Sequence, residues 1–104
     1  MCIMIAIITT VYNNKELLKR CLCSIAIQSI VDNCKLYLII DDNNNYEDIK
    51  EQFGNLMNIH IHYNDSNQGH AINRNIGLKL ALQDNMSYIY YLDADDMLFG
   101  CNSL

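Results

Sequence analysis

Proline and tryptophan are both absent from this 104-residue chain. Because proline is one of the strongest markers of turns and helix ends, its absence leaves predicted element boundaries good to a few residues only. Basic residues are also few: seven lysines and arginines stand against twelve acidic residues, the formal net charge is −5, and the basic residues form no cluster. This excludes the basic surface that holds nucleic-acid backbones, but not one nucleotide bound through a metal.

Several sequence motifs are missing as well. The five cysteines are odd in number and lack Cys-x-x-Cys spacing, so they indicate neither a zinc ribbon nor a disulfide framework. This pattern predicts a cytoplasmic location, which includes the inner face of a membrane. Neither Gly-x-Gly-x-x-Gly after the first apolar run nor a Walker A lysine occurs, so the phosphate-binding motifs of nicotinamide dehydrogenases and P-loop nucleotidases are absent. The longest apolar run, residues 1–8, resembles neither a signal peptide nor a membrane span, so no membrane segment is predicted in this chain.

The composition and apolar pattern predict one globular α/β domain. Hydrophobic residues make up 51% of the chain and charged residues 18%, enough for a buried core. Apolar runs predict strands near residues 2–9, 36–40, 59–63 and 88–92, and helical patterns lie between them, the last one burying Ile72, Ile76 and Leu80. Four strands alternating with three helices predict a mostly parallel, Rossmann-like sheet flanked by helices, with ligands bound beyond the carboxyl ends of the strands.

Three carboxylates follow the last predicted strand, namely Asp93, Asp95 and Asp96. Unneutralised, these charges would repel one another, and a hard divalent ion such as Mn²⁺ or Mg²⁺ would remove that repulsion through oxygen ligands. A solvated acidic turn is the alternative for this segment taken alone. The ends of the other strands favour the metal, because Tyr12 offers a ring for stacking on a base and Asp42 an acceptor for a base or ribose. The alternative roles there are a sheet cap for Tyr12 and a helix cap for Asp42.

The order of four motifs resembles glycosyltransferase family 2 enzymes of the GT-A fold. These motifs are Thr-x-Tyr-Asn at 10–13, Asp-Asp-Asn at 41–43, Asn-Gln-Gly-His-x-x-x-Arg-Asn-x-Gly at 67–77 and Leu-Asp-Ala-Asp-Asp at 92–96. The resemblance implies a nucleoside, most often uridine, held by Thr10, Tyr12 and Asp42, with Arg74 near the diphosphate or bracing the acidic loop. It further implies that Asp93 contacts the ribose or the metal, Asp95 is the leading metal ligand, and Asp96 orients the site or the donor sugar.

The implied activity is metal-dependent transfer of a sugar from a nucleoside diphosphate, with UDP-sugars favoured, to an acceptor hydroxyl with inversion. In this family a second half, which supplies the acceptor site and the catalytic base, follows the Asp-x-Asp strand. We therefore expect residues 1–104 to be a single donor-binding domain, truncated after that strand and transferring little by itself, with its catalytic base unknown. The alternative is a non-catalytic nucleotide-binding or protein-interaction module of the same fold, which self-associates through the surface left exposed.

The chain departs from the family pattern at three places. The proline often found before Thr-x-Tyr-Asn is missing, residues 43–45 replace the common Gly-Ser loop, and Asn73 stands where alanine is usual. These departures bear on loop geometry and sugar preference more than on nucleotide binding.

Overall fold

The computed structural model describes residues 4–13, 15–27, 33–66 and 68–92, with residue 70 described by its backbone alone. Within these ranges strands and helices alternate. In chain order they are β1 (Ile5–Val11), α1 (Lys15–Ala26), β2 (Cys34–Ile40), α2 (Glu47–Phe53), β3 (Asn58–Tyr63), α3 (His70–Gln83) and β4 (Tyr88–Tyr91). The four strands form one sheet in the order β3-β2-β1-β4, and every pairing is parallel. The predicted α/β fold with a parallel sheet is confirmed.

The sheet aligns the carboxyl ends of its first three strands. Val11 at the end of β1 pairs with Ile40 of β2, and Ile40 pairs in turn with Tyr63 of β3. The chain moves outward from β1 to β3 and then crosses to place β4 on the other side of β1. Open parallel sheets bind ligands at such a change of direction, beyond the carboxyl ends of the strands.

Helices cover both faces of the sheet, which explains why β1 and β2 are apolar almost throughout. Side chains alternate between the faces: Ile7 lies in one hydrophobic cluster with the buried side of α1, including Leu22, whereas Ile8 lies in a second cluster with Ala81 of α3. Cys21 of α1 is buried in the first cluster and Cys23 is exposed, because residues two apart on a helix do not share a face.

Helix α3 packs on the sheet through smaller residues than the sequence predicts. Asn73, Gly77 and Ala81, four residues apart, form its buried face. Ile76 and Leu80 are partly buried as predicted, but the prediction for Ile72 is wrong, because its side chain is 47% exposed. The reason is the close approach of the helix at Gly77, where a Cβ atom would collide with Cγ2 of Ile8 and therefore has no room.

Strand β4 forms one edge of the described sheet. On β4, Tyr88 and Tyr90 are 61% and 40% exposed, so an aromatic surface lies along that edge.

Among the residues that the structure describes, we find no helix with the length and apolar character needed to cross a membrane.

Candidate functional site

Polar segments converge where β1, β2 and β3 end. The parallel ladder continues one step past the strands, because Asp41 N donates to Val11 O at 2.8 Å and Asn64 N donates to Ile40 O at 2.9 Å. Residues 12–13, 41–45 and 64–66 therefore start from one edge of the sheet. This is the edge at which the sequence predicts a ligand.

Tyr12 and Thr10 lie at the end of β1 with different exposure. The Tyr12 side chain is 60% exposed, whereas Thr10 is 9% exposed. Directly after Tyr12, Asn13 adopts a φ of 51°, a left-handed conformation that asparagine tolerates better than most residues. The chain thus turns at the strand end and leaves the Tyr12 ring open to stack on a flat ligand.

The Asp42 carboxylate organises the loop after β2. Its Oδ2 accepts hydrogen bonds from Asn13 N and from the Tyr46 hydroxyl, each at 2.6 Å, and its Oδ1 accepts one from Asn44 N at 2.8 Å. Burial raises the pKa of Asp42, but the hydrogen bonds from Tyr46, Asn13 and Asn44 outweigh burial and leave this pKa below its usual value. The Asp42 carboxylate therefore stays ionised, next to Asn13 in the loop that follows β1.

Tyr46 braces this loop from beneath, a role that the sequence analysis missed. Its side chain is fully buried, and its backbone N donates to the Tyr63 hydroxyl oxygen at 3.0 Å. Burial and the neighbouring Asp42 carboxylate raise the pKa of Tyr46, so the hydroxyl keeps its proton and donates it. The Lys15 ammonium lies 5.0 Å from the Tyr46 ring centre and donates to Asn45 O at 2.8 Å, which ties the loop to α1 as well.

Asp41 is the second carboxylate of this loop, and it faces the other way. It is 5% exposed, and its Oδ1 accepts hydrogen bonds from Asn64 Nδ2 and Gln68 N, both at 2.8 Å, while Oδ2 accepts one from Gly69 N at 3.0 Å. Asn73 also bonds Asp41, and its Oδ1 accepts from Asn64 Nδ2 at 2.6 Å. Burial raises the pKa of Asp41, but these donors together lower it overall.

The alternation of side chains along β2 explains why Asp41 and Asp42 face opposite ways. Successive side chains of a strand point to opposite faces, and Ile39 and Ile40 at the end of β2 lie in the two different hydrophobic clusters. Continuing that alternation sends Asp41 toward the α3 side and Asp42 toward the α1 and α2 side. The sequence did not reveal the partners, because Asn64 and Asn73 are distant from Asp41 along the chain.

Arg74 reaches the end of β4. Its guanidinium carbon lies 5.4 Å from the centre of the Tyr91 ring, a cation–π distance. Because β4 ends at Tyr91 and Leu92 N donates to Ile8 O at 3.0 Å, Arg74 lies close to where the chain leaves the sheet. A guanidinium in this position is suited to pair with phosphate oxygens.

The predicted metal ligands Asp93, Asp95 and Asp96 lie outside the described residues. Of the described part of the chain, no group of three or more histidine, cysteine or carboxylate side chains could hold a metal ion. The structure thus brings Thr10, Tyr12 and Asp42 to one edge and places Arg74 against β4, while the three carboxylates remain predictions.

Comparison with known proteins identifies the same family along almost the whole chain. A family model described as Glycosyl transferase family 2 matches residues 6–99. No curated protein sequence matches significantly.

Solved structures share the fold. TarS 1-349 from S. aureus superposes with a TM-score of 0.78 at 22% identity, covering 91% of this chain and 28% of that one, and a further structure of it contains UDP. The mannosyltransferase PcManGT from Pyrobaculum calidifontis, solved with GDP-Man and Mn²⁺, superposes with a TM-score of 0.73 at 17% identity, covering 92% of this chain and 28% of that one. This chain therefore spans just over a quarter of either structure.

Proposed function

Because the chain belongs to glycosyl transferase family 2, we propose that it binds the nucleoside-diphosphate part of a sugar donor, with UDP favoured. One observation carries the proposal: the exposed Tyr12 ring lies at the same sheet edge as the ionised Asp42 loop, with the loop fixed by its own hydrogen bonds before any ligand arrives. Such preorganisation lowers the cost of ordering a site on binding.

We assign each of four residues to one part of the donor molecule. We assign Tyr12 to stack on the base, with Thr10 beside it, and Asp42 to accept a base N–H through Oδ1, since Oδ2 already carries two hydrogen bonds. Arg74, held over Tyr91, pairs with the diphosphate. The UDP in a TarS structure and the GDP-Man in the PcManGT structure support a nucleotide ligand.

We assign Asp93, Asp95 and Asp96 to a Mn²⁺ or Mg²⁺ ion, with Asp95 as the leading ligand and Asp93 also near the ribose. Three carboxylates supply the hard oxygen ligands that these ions prefer, and the bound ion would neutralise charge on the departing diphosphate. The Mn²⁺ in the PcManGT structure supports this choice.

The proposed reaction of the whole enzyme is inverting sugar transfer. The bond between the anomeric carbon and the diphosphate oxygen breaks, a bond to the acceptor oxygen forms on the opposite face, and the acceptor proton passes to a base. None of the residues assigned above is that base. Since general-base help is worth about a hundredfold to ten-thousandfold, we expect these 104 residues to bind the donor and transfer little. Among the described residues Cys21, Cys23 and Cys34 form no disulfide bond, and we propose a cytoplasmic location, where thiols stay reduced.

Calorimetry with UDP tests this proposal. We expect UDP to bind more tightly with Mn²⁺ than without it, and more tightly than GDP or ADP under the same conditions. Equal affinities for the three nucleotides would refute the uridine preference. Absence of binding by all three would refute the donor site and favour the interaction module.

The interaction module is the second candidate, and the exposed Tyr88 and Tyr90 on β4 favour it. Exposed aromatic strands at a sheet edge promote pairing with another chain. We therefore propose self-association through β4, and expect light scattering to show mass rising with concentration for the wild type but not for Tyr90→Lys. A wild-type monomer at high concentration would contradict self-association without touching nucleotide binding.

A further inference from the structure

Asp41, the second carboxylate at this edge, has no part in the donor-site assignment. Asp41 is 5% exposed and accepts hydrogen bonds from two backbone amides and one side-chain amide within 3.0 Å, besides its bond to Asn73. In the described part of the chain these partners are amides and not cations. Because the amides of Gln68 and Gly69 belong to the backbone, the carboxylate fixes the path of the chain as well as its own side chain.

That path leads directly into α3. Gly69 precedes the helix with a φ of 83°, and its carbonyl oxygen accepts the hydrogen bond of Asn73 N at 3.0 Å. Asp41 therefore holds the residue before the helix through Gly69 N and the first turn through the Asn73 side chain. Arg74 is the next residue along the chain.

We propose that Asp41 is a positioning residue that sets where Arg74 meets the diphosphate of the donor, an inference that rests on the proposed function. Arg74 is then located by two strands: Tyr91 of β4 lies under its guanidinium, and Asp41 of the β2 end anchors the backbone from which it projects. In an asparagine side chain one of the two acceptor oxygens is replaced by an NH₂ donor, so either the Gln68 or the Gly69 amide loses its acceptor, and we expect the start of α3 to shift relative to β2.

Asn73 gives this network a feature of its own. The family resemblance implies alanine at that position, yet here the side chain is buried, contacts Asp41, and receives a 2.6 Å hydrogen bond from Asn64. An alanine has no polar atom for either contact. Asn73, one of the departures from the family pattern, thus joins the start of α3 to the end of β2 and to the loop after β3.

The test is a double-mutant cycle between Asp41→Asn and Arg74→Ala, read by calorimetry with UDP and with uridine. We expect Asp41→Asn to weaken UDP binding about tenfold, the lower end of the range known for losing a hydrogen-bond partner that orients a metal ligand, and to leave uridine binding unchanged. In the Arg74→Ala background the same change should cost UDP binding nothing further, because the two residues act through one contact. A purely structural role predicts equal losses for UDP and uridine in both backgrounds.

Two more variants keep the outcome interpretable. Asp84→Asn is the matched control, since Asp84 accepts from Tyr37 OH at 2.6 Å and Lys35 Nζ at 2.8 Å at the opposite end of α3, and we expect it to bind UDP like the wild type. Asn64→Ala removes one donor and retains the Asp41 carboxylate, so it gives a milder loss of UDP affinity if Asp41→Asn does not fold. If the wild type binds UDP and Asp41→Asn binds it equally well, only the role of Asp41 is overturned. If the wild type binds no nucleotide, the proposed function fails and this inference fails with it.

Discussion

Asp95→Asn is expected to abolish the effect of Mn²⁺ on UDP binding. An amide keeps the size of the carboxylate but removes its charge, and a divalent ion in a site of hard ligands depends on that charge. Because loss of a supporting partner of a metal ligand already costs about tenfold to a hundredfold, we expect loss of the leading ligand to weaken Mn²⁺-dependent UDP binding by about a hundredfold or more. Titrations with and without Mn²⁺ should then coincide.

The control for Asp95→Asn is Glu51→Gln, which removes one negative charge from an exposed position on α2. It should leave both titrations as in the wild type, which separates metal ligation from the net charge of the protein. Metal-dependent binding retained in Asp95→Asn would refute the assigned ligand. Binding that is metal-independent already in the wild type would refute the metal site itself.

Gly77→Val is expected to lower the free energy of unfolding by about 3 kcal/mol, the upper part of the usual range for overpacking. Even a Cβ atom at position 77 would collide with Cγ2 of Ile8, and valine adds two further methyl groups. Ile8 is 1% exposed in the middle of the sheet, so it has little freedom to move. Urea denaturation of the wild type and the variant measures this loss.

The matched control is Lys79→Val, on the exposed side of the same helix, because it introduces valine into α3 without meeting the sheet. Only a few tenths of a kcal/mol are expected there from helix propensity. A second step adds Ile8→Ala, which alone should cost about 2–5 kcal/mol but should cost much less in the Gly77→Val background, since the introduced valine fills the space vacated. Additive losses in the double variant would contradict a direct contact between position 77 and Ile8.

The order of elements was predictable because it depends on local patterns. Continuous apolar runs bounded by polar clusters located β2 and β3 to within two residues. The face of α3 was not predictable in the same way. Ile72 has the right spacing for burial, but the close approach at Gly77 selects the stripe of Asn73, Gly77 and Ala81 instead, and that approach depends on Ile8, far away in the chain.

At the sheet edge proposed to bind the donor, the residues were predictable from the sequence but their hydrogen-bond partners were not. Tyr12 and Asp42 were identifiable because the carboxyl ends of parallel strands collect at one edge whatever the details of packing. The partners of Asp42 were not, since Tyr46 looks like an ordinary loop tyrosine until its burial beneath the carboxylate is known. No role was predicted for Asp41, because its role depends on the four groups that form hydrogen bonds with its carboxylate.

By itself the sequence determined the family, the parallel α/β order and the residue types at the strand ends, since composition, periodicity and motif spacing are properties of the chain alone. Only the tertiary structure decided which of two adjacent aspartates orders the β2 loop and which anchors α3. Hydrogen bonds between residues 27 and 28 positions apart, such as those from Gln68 and Gly69 to Asp41, exist only after the sheet has brought the loops together.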